Sequence, residues 1–121
     1  MDKKNVAFIE VRESNELFFA SNHFGVLPKD QMENVCRTLK PFFKGTFVAN
    51  NNLNPTTGLE KIRSGDAEMV SFGRLYIVNP DLTERVIAGH PIEDKWDMKL
   101  FYGHELGAKG YTDYPTYQPP Q

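Results

Sequence analysis

The 121-residue sequence contains one cysteine and one tryptophan, and its charges nearly cancel: 14 basic residues against 16 acidic ones, a net −2. Cys36 has no second thiol to pair with, so no internal disulfide staples the fold, which suits a reducing compartment. No run of basic residues is longer than Lys3-Lys4. The electrostatic footprint of a nucleic-acid binder is therefore missing, and so is that of a protein drawn to an anionic membrane. No apolar stretch approaches the ~20 residues of a bilayer span, and no signal-peptide cleavage pattern follows the first five residues. The expectation is a soluble, cytoplasmic protein with no nucleic-acid or membrane partner.

What is present is enough apolar surface for a core. Hydrophobic residues make up 40% of the chain and aromatics 12%, ordinary values for a globular protein. The length fits one domain over residues 1–121.

Residues 6 to 11 (Val-Ala-Phe-Ile-Glu-Val) are apolar almost without a break, as in a strand buried on both faces of a parallel sheet. Glu10 is the exception. A polar and aromatic loop follows to Gly25. From Pro28 a helix is predicted, with Met32, Val35, Cys36, Leu39, Phe42 and Phe43 recurring at three- and four-residue spacing and the helix closing near Pro41. Thr46 to Ala49 read as a second buried strand, and Asn50-Asn51-Asn52 as the loop after it.

Asn54 before Pro55 is a good N-cap with proline at the first helical position. The helix it opens presents Leu59 and Ile62 on one face and stops at Ser64-Gly65. Residues 69 to 72 form a third predicted strand ending at Gly73-Arg74. Asn79-Pro80-Asp81 opens another helix, with Leu82, Val86 and Ile87 expected to face inward and Gly89 closing it. From His90 onward the chain is rich in Gly, Pro and Tyr and reads as a wrapping tail. Repeated strand-helix units imply a parallel sheet with right-handed crossovers. Three strands form either an open sheet or a slice of a (β/α)8 barrel, which takes about 250 residues when complete.

Three segments resemble one known family. Residues 65 to 82, GDAEMVSFGRLYIVNPDL, look like the last barrel strand of the old yellow enzymes with the Gly-Arg and Asn-Pro-Asp-Leu that follow it. Phe101-Tyr102-Gly103 and residues 110 to 115, GYTDYP, resemble the C-terminal signature of that family. Residues 44 to 49, KGTFVA, resemble its seventh strand. Glu13 matches a glutamate at the end of the sixth strand, although Ser14 stands where a proline is expected.

The resemblance implies an α/β fold, a partial TIM barrel made of strands six to eight with their helices and a C-terminal tail. It implies FMN as cofactor, NAD(P)H as reductant and an unsaturated carbonyl compound as substrate. Gly73 and Arg74 would bind the flavin phosphate, together with Asn51 and Asn52 after the seventh strand. This agrees with the general placement of phosphate sites in the last two loops of such barrels. The chemistry fits, since a phosphate monoester needs close backbone donors and a fixed cation: glycine permits the first and the planar arginine fork supplies the second. Asn51 stands where many relatives carry glycine, and asparagine tolerates left-handed backbone better than most residues. Tyr102 would line the substrate pocket.

The His/Asn or His/His pair that grips the substrate carbonyl in that family, and its proton-donating tyrosine, have no counterpart here, so no catalytic residue and no metal ligand is assigned. His23, His90 and His104 read as loop or surface residues, and Cys36 as packing. Two classes of function follow. One is a flavin-dependent ene-reductase, incomplete as this chain. The other is a non-catalytic half-barrel that binds flavin phosphate or self-associates through exposed sheet edges.

Overall fold

The apolar runs flanked by helix signals assemble as a three-stranded parallel sheet. In the computed structural model, which describes residues 6–13, 35–50, 52–101 and 107–120, the chain divides into two compact units, Met1–Ser71 and Phe72–Gln121.

The first unit holds the sheet, formed by β1 (Phe8–Arg12), β2 (Thr46–Asn50) and β3 (Met69–Val70) in that spatial order. The register runs from Phe8↔Thr46 to Arg12↔Asn50, then Val48↔Met69 and Ala49↔Val70. Helix α1 (Val35–Leu39) continues into a 3-10 turn, Lys40–Phe42, and α2 (Pro55–Arg63) joins β2 to β3. The start of the helix predicted from Pro28 lies outside the described residues.

Partners in a parallel register share a face, and faces alternate along each strand. Phe8, Glu10, Arg12, Thr46, Val48, Asn50 and Met69 therefore lie on one side. Ile9, Val11, Phe47, Ala49 and Val70 lie on the other, where the core of Cys36, Phe43, Phe47, Ala49 and Ala67 packs. Burying a ring such as Phe47 contributes about 1.5–3 kcal/mol.

The expectation of two-sided burial holds for β2, whose Phe47, Val48 and Ala49 are all buried. It fails for β1, where burial alternates and Phe8 is 56% exposed. The reason is position. The outer strand has helical cover on one face only, so Phe8 on the other face stays uncovered.

Polar contacts lock the helices to the strand ends. Glu13 accepts the Cys36 amide at 2.7 Å through Oε1 and pairs with Lys61 at 2.5 Å through Oε2. Arg37 grips Asp66 with two parallel bonds of 3.0 and 3.1 Å. Glu68 pairs with Lys40 and accepts the Phe47 amide at 2.8 Å. Helix α2 starts as the sequence predicts: Asn54 Oδ1 accepts the Thr57 amide and Thr57 Oγ1 accepts the Asn54 amide, both at 2.9 Å. It ends at Ser64 with Gly65 at φ +76°. Its Leu59 and Ile62 stay substantially exposed, and of this helix only Gly58 is buried.

The second unit contains α3 (Arg74–Val78), α4 (Leu82–Ala88) and α5 (Met98–Phe101). Residues 74 to 78 carry no start signal that predicts a helix, and α3 is an addition to the expected order. Gly89 closes α4 at φ +68°, as predicted. The expected inward face needs correction, because Val86 and Ile87 are exposed while Leu82 and Arg85 are buried. Arg85 stands three residues after Leu82, on the same side of the helix, and its charge is satisfied there by the contacts described below.

Candidate functional site

Of the site residues expected from the sequence, the described ones follow the C-terminal ends of β2 (Asn52) and β3 (Gly73 and Arg74) along the chain. In the first unit these ends are held side by side. The Ser71 amide donates to Ala49 O at 3.0 Å, and Glu13 N donates to Asn50 O at 3.2 Å. Across the open face, Asn50 Nδ2 donates to Ser71 Oγ at 2.5 Å and Ser71 Oγ donates to Glu10 Oε1 at 2.7 Å. Glu10, the charge that interrupted the first apolar run, thus has a hydroxyl partner on that face. Immediately after β2 comes Asn52, at φ +54°, a positive φ at a non-glycine residue. This is the left-handed geometry that asparagine tolerates better than most. Its neighbour Asn51 lies outside the described residues.

In the second unit, Gly73 precedes α3 at φ −96°, ψ −74°. Any residue can adopt that conformation. A Cβ built on Gly73 would meet no described heavy atom within 4 Å. Arg74 opens the helix, and its guanidinium carbon lies 4.9 Å from the centroid of the Trp96 ring. That is within the range where the ring's negative face attracts a cation. Tyr102 lies outside the described residues, as do His23 and His104. His90 stacks on Tyr117 with ring centroids 4.2 Å apart.

A buried polar cluster carries these elements. Asn79 is fully buried and uses both ends of its amide. Its Nδ2 donates to Leu75 O and Glu93 O at 2.9 and 2.8 Å, while its Oδ1 accepts from Glu93 N and Arg85 Nη1, both at 2.8 Å. Arg85 also reaches Asp81 Oδ1 at 2.7 Å, Pro91 O at 3.3 Å and Pro115 O at 3.0 Å. Asp81 Oδ2 accepts the Tyr117 amide at 2.7 Å. Burial raises the Asp81 carboxyl, but the Tyr117 amide and the Arg85 guanidinium outweigh it and hold the group below its ordinary 3.8. Further along, Asp113 accepts the Gly110 amide at 2.7 Å, a local bond within the GYTDYP segment.

Sequence reasoning missed two residues here. Trp96 gives no advance signal, since nothing in its neighbourhood marks it as a partner of Arg74. Arg85 did give one: it follows Asp81 by four residues, the spacing of a helical ion pair.

Chemically, the described residues offer a cation beside an exposed glycine. Cys36 is fully buried; burial, then the adjacent Glu13, push its thiol from 9.0 up to about 12. Among the described residues no cluster of three or more His, Cys, Asp or Glu is placed to hold a metal ion. No described helix is long and apolar enough to cross a membrane.

No family model matches the sequence. Individual proteins do. The chain is 39% identical over 92 residues to 12-oxophytodienoate reductase 7 of Oryza sativa subsp. japonica, covering 76% of this chain and 23% of that protein. It is 35% identical over 113 residues to a flavin oxidoreductase of Emericella nidulans, covering 92% of this chain and 28% of the other. The chain thus spans about a quarter of the length of these curated relatives.

Among solved structures, the old yellow enzyme homologue of Zymomonas mobilis superposes with a TM-score of 0.72 at 31% identity, over 95% of this chain and 30% of that one. Morphinone reductase gives a TM-score of 0.71 at 29% identity, over 96% of this chain and 28% of the other. These neighbours are TIM-barrel proteins, and the small parallel sheet is consistent with part of such a barrel. Likeness in sequence and in fold identifies the chain, over the stretch it spans, as a member of the old yellow enzyme family.

Proposed function

We propose that this chain is the flavin-phosphate corner of an FMN-dependent NAD(P)H oxidoreductase, an ene-reductase acting on the activated C=C bond of unsaturated carbonyl compounds. In this reading β1, β2 and β3 are strands six, seven and eight of a (β/α)8 barrel, and residues beyond α4 form its C-terminal tail. The catalytic groups belong to the part of the barrel outside this chain.

The observation that carries the reading is Gly73. Its φ of −96° does not need glycine, and no described atom would collide with a side chain there. Neither backbone conformation nor packing among the described residues therefore accounts for glycine at this position. A ligand that must approach the backbone closely does. The guanidinium of the next residue suits a negatively charged ligand, and its planar fork suits a phosphate.

FMN fits this arrangement by its phosphate. Gly73 would give access and Arg74 would supply the cation; Asn51 and Asn52 are assigned to the phosphate on the family resemblance. Left-handed backbone at Asn52 supports a tight turn there. Tyr102 is assigned to the substrate side. The chemistry that such a flavin supplies is hydride transfer from a nicotinamide to the substrate alkene. Two relatives support the pairing: one is named a flavin oxidoreductase, and morphinone reductase has been seen with tetrahydroNAD. A cytoplasmic location agrees with the single unpaired cysteine.

The test compares FMN with riboflavin, which lacks the phosphate. The chain is expected to bind FMN at least ~10-fold more tightly, the worth of a charge-assisted hydrogen bond or more. Arg74→Ala is expected to remove most of that preference. Equal affinity for the two flavins in the unaltered chain would overturn the reading.

A further inference from the structure

We infer that Trp96 is a positioning residue for the phosphate site, holding the Arg74 guanidinium through a cation–π contact. The inference rests on the reading of Arg74 as the phosphate cation and extends it to a residue with no assigned role. Trp96 is half-buried, and its ring lies 4.9 Å from the guanidinium carbon of Arg74. The two residues are 22 positions apart in sequence and belong to the same compact unit.

The physical argument concerns flexibility. A free arginine has four rotatable side-chain torsions, and ordering it at a binding site costs conformational freedom. An indole face beneath the guanidinium restricts those torsions before the ligand arrives. Exposed Gly73 directly precedes this group along the chain, so the preorganised cation and the accessible backbone are adjacent. The Trp96 contact thus favours phosphorylated over unphosphorylated flavin without touching either one.

Trp96 is the only tryptophan in the chain, so its fluorescence reports this site alone. The experiment measures the ratio of FMN to riboflavin affinity for the unaltered chain, Trp96→Phe and Trp96→Leu. Quenching of the tryptophan reports binding in the first, and quenching of flavin emission reports it in all three. Leucine keeps bulk without a π face; phenylalanine keeps a weaker face. Far-UV circular dichroism confirms that each variant is folded.

The FMN preference is expected to fall about two- to fivefold in Trp96→Leu, the scale of an exposed cation–π contact. It is expected to fall less in Trp96→Phe, with riboflavin affinity unchanged in both. A structural role alone would weaken both flavins together, and that result overturns the inference. So does a full FMN preference retained in Trp96→Leu, which leaves the phosphate role of Arg74 intact. Absence of any FMN preference in the unaltered chain instead defeats the underlying reading.

Discussion

Asp81 and Arg85 meet at 2.7 Å across one turn of α4, and the same carboxylate receives the amide of Tyr117 from the distant tail. The guanidinium simultaneously holds the carbonyls of Pro91 and Pro115. One ion pair thus closes the second unit by gathering three separate stretches of chain. Breaking either partner strands a charge among carbonyls and amides, the situation in which ion-pair removal is most damaging.

Asn79 is the neutral centre of that cluster, and its loss is expected to be costly. Asn79→Ala removes four hydrogen bonds from a fully buried side chain and takes their side-chain partner from the Glu93 amide and carbonyl. A destabilisation of about 1–3 kcal/mol is expected in urea unfolding. Asn79→Asp is the sharper test, because it is isosteric but sets a carboxylate oxygen against the carbonyls of Leu75 and Glu93. It is expected to match the alanine variant at neutral pH. Wild-type stability in either variant would contradict the buried placement.

The pair Arg37–Asp66 sets a pH dependence in the first unit. Hydrogen bonding to Arg37 is the main cause holding the Asp66 carboxyl below its ordinary 3.8, against the opposing effect of burial. A lowered folded pKa means that the unfolded chain takes up the proton first as pH falls. The stabilisation is therefore complete above the unfolded value of about 4 and is lost as pH drops through the lower folded one. The gap in urea midpoint between the wild type and Asp66→Asn should be constant near neutrality and shrink below about pH 4. A gap independent of pH would remove the ion pair as its cause.

Cys36 is expected to be chemically silent in the folded protein. Its side chain is fully buried, and a thiol at about 12 carries almost no thiolate at pH 8. Ellman's reagent should leave it unmodified under native conditions and label it fully in denaturing urea. Rapid native labelling would show that the core around Phe43 and Phe47 opens readily.

Two glycines separate conformational need from ligand access. A Cβ at Gly110 would lie 2.4 Å from Leu100 Cδ1, and its φ of +69° strains any side chain. Gly110→Ala should therefore destabilise the protein by roughly 1–3 kcal/mol. Gly73→Ala should leave the thermal midpoint unchanged or slightly raised, since reducing the freedom of the unfolded chain stabilises by about 0.4–1 kcal/mol. It should nevertheless weaken FMN binding. Destabilisation by Gly73→Ala would show that the glycine serves the fold and not a ligand.

Much of the local architecture was readable from composition and spacing. Three apolar runs with helix signals between them gave a parallel sheet. Asn54-Pro55, Ser64-Gly65 and Gly89 marked helix ends that the structure places where expected, because caps depend on a few adjacent residues. Helix α3 went unseen, since five residues beginning at Arg74 carry neither a side-chain cap nor a full apolar period. Of the expected site residues, Gly73, Arg74 and Asn52 are described, whereas Asn51 and Tyr102 fall outside the described residues.

The sequence alone determined the order of the three strands, the capped helices Pro55–Arg63 and Leu82–Ala88 and the family likeness, because all of these are written in short-range spacing. Tertiary structure decided which faces are covered. It left β1 half-uncovered at the outside of the sheet, turned Arg85 inward while Ile87 stayed out, and set Trp96 against Arg74. Exposure and pairing of this kind depend on residues tens of positions away, so no local pattern specifies them.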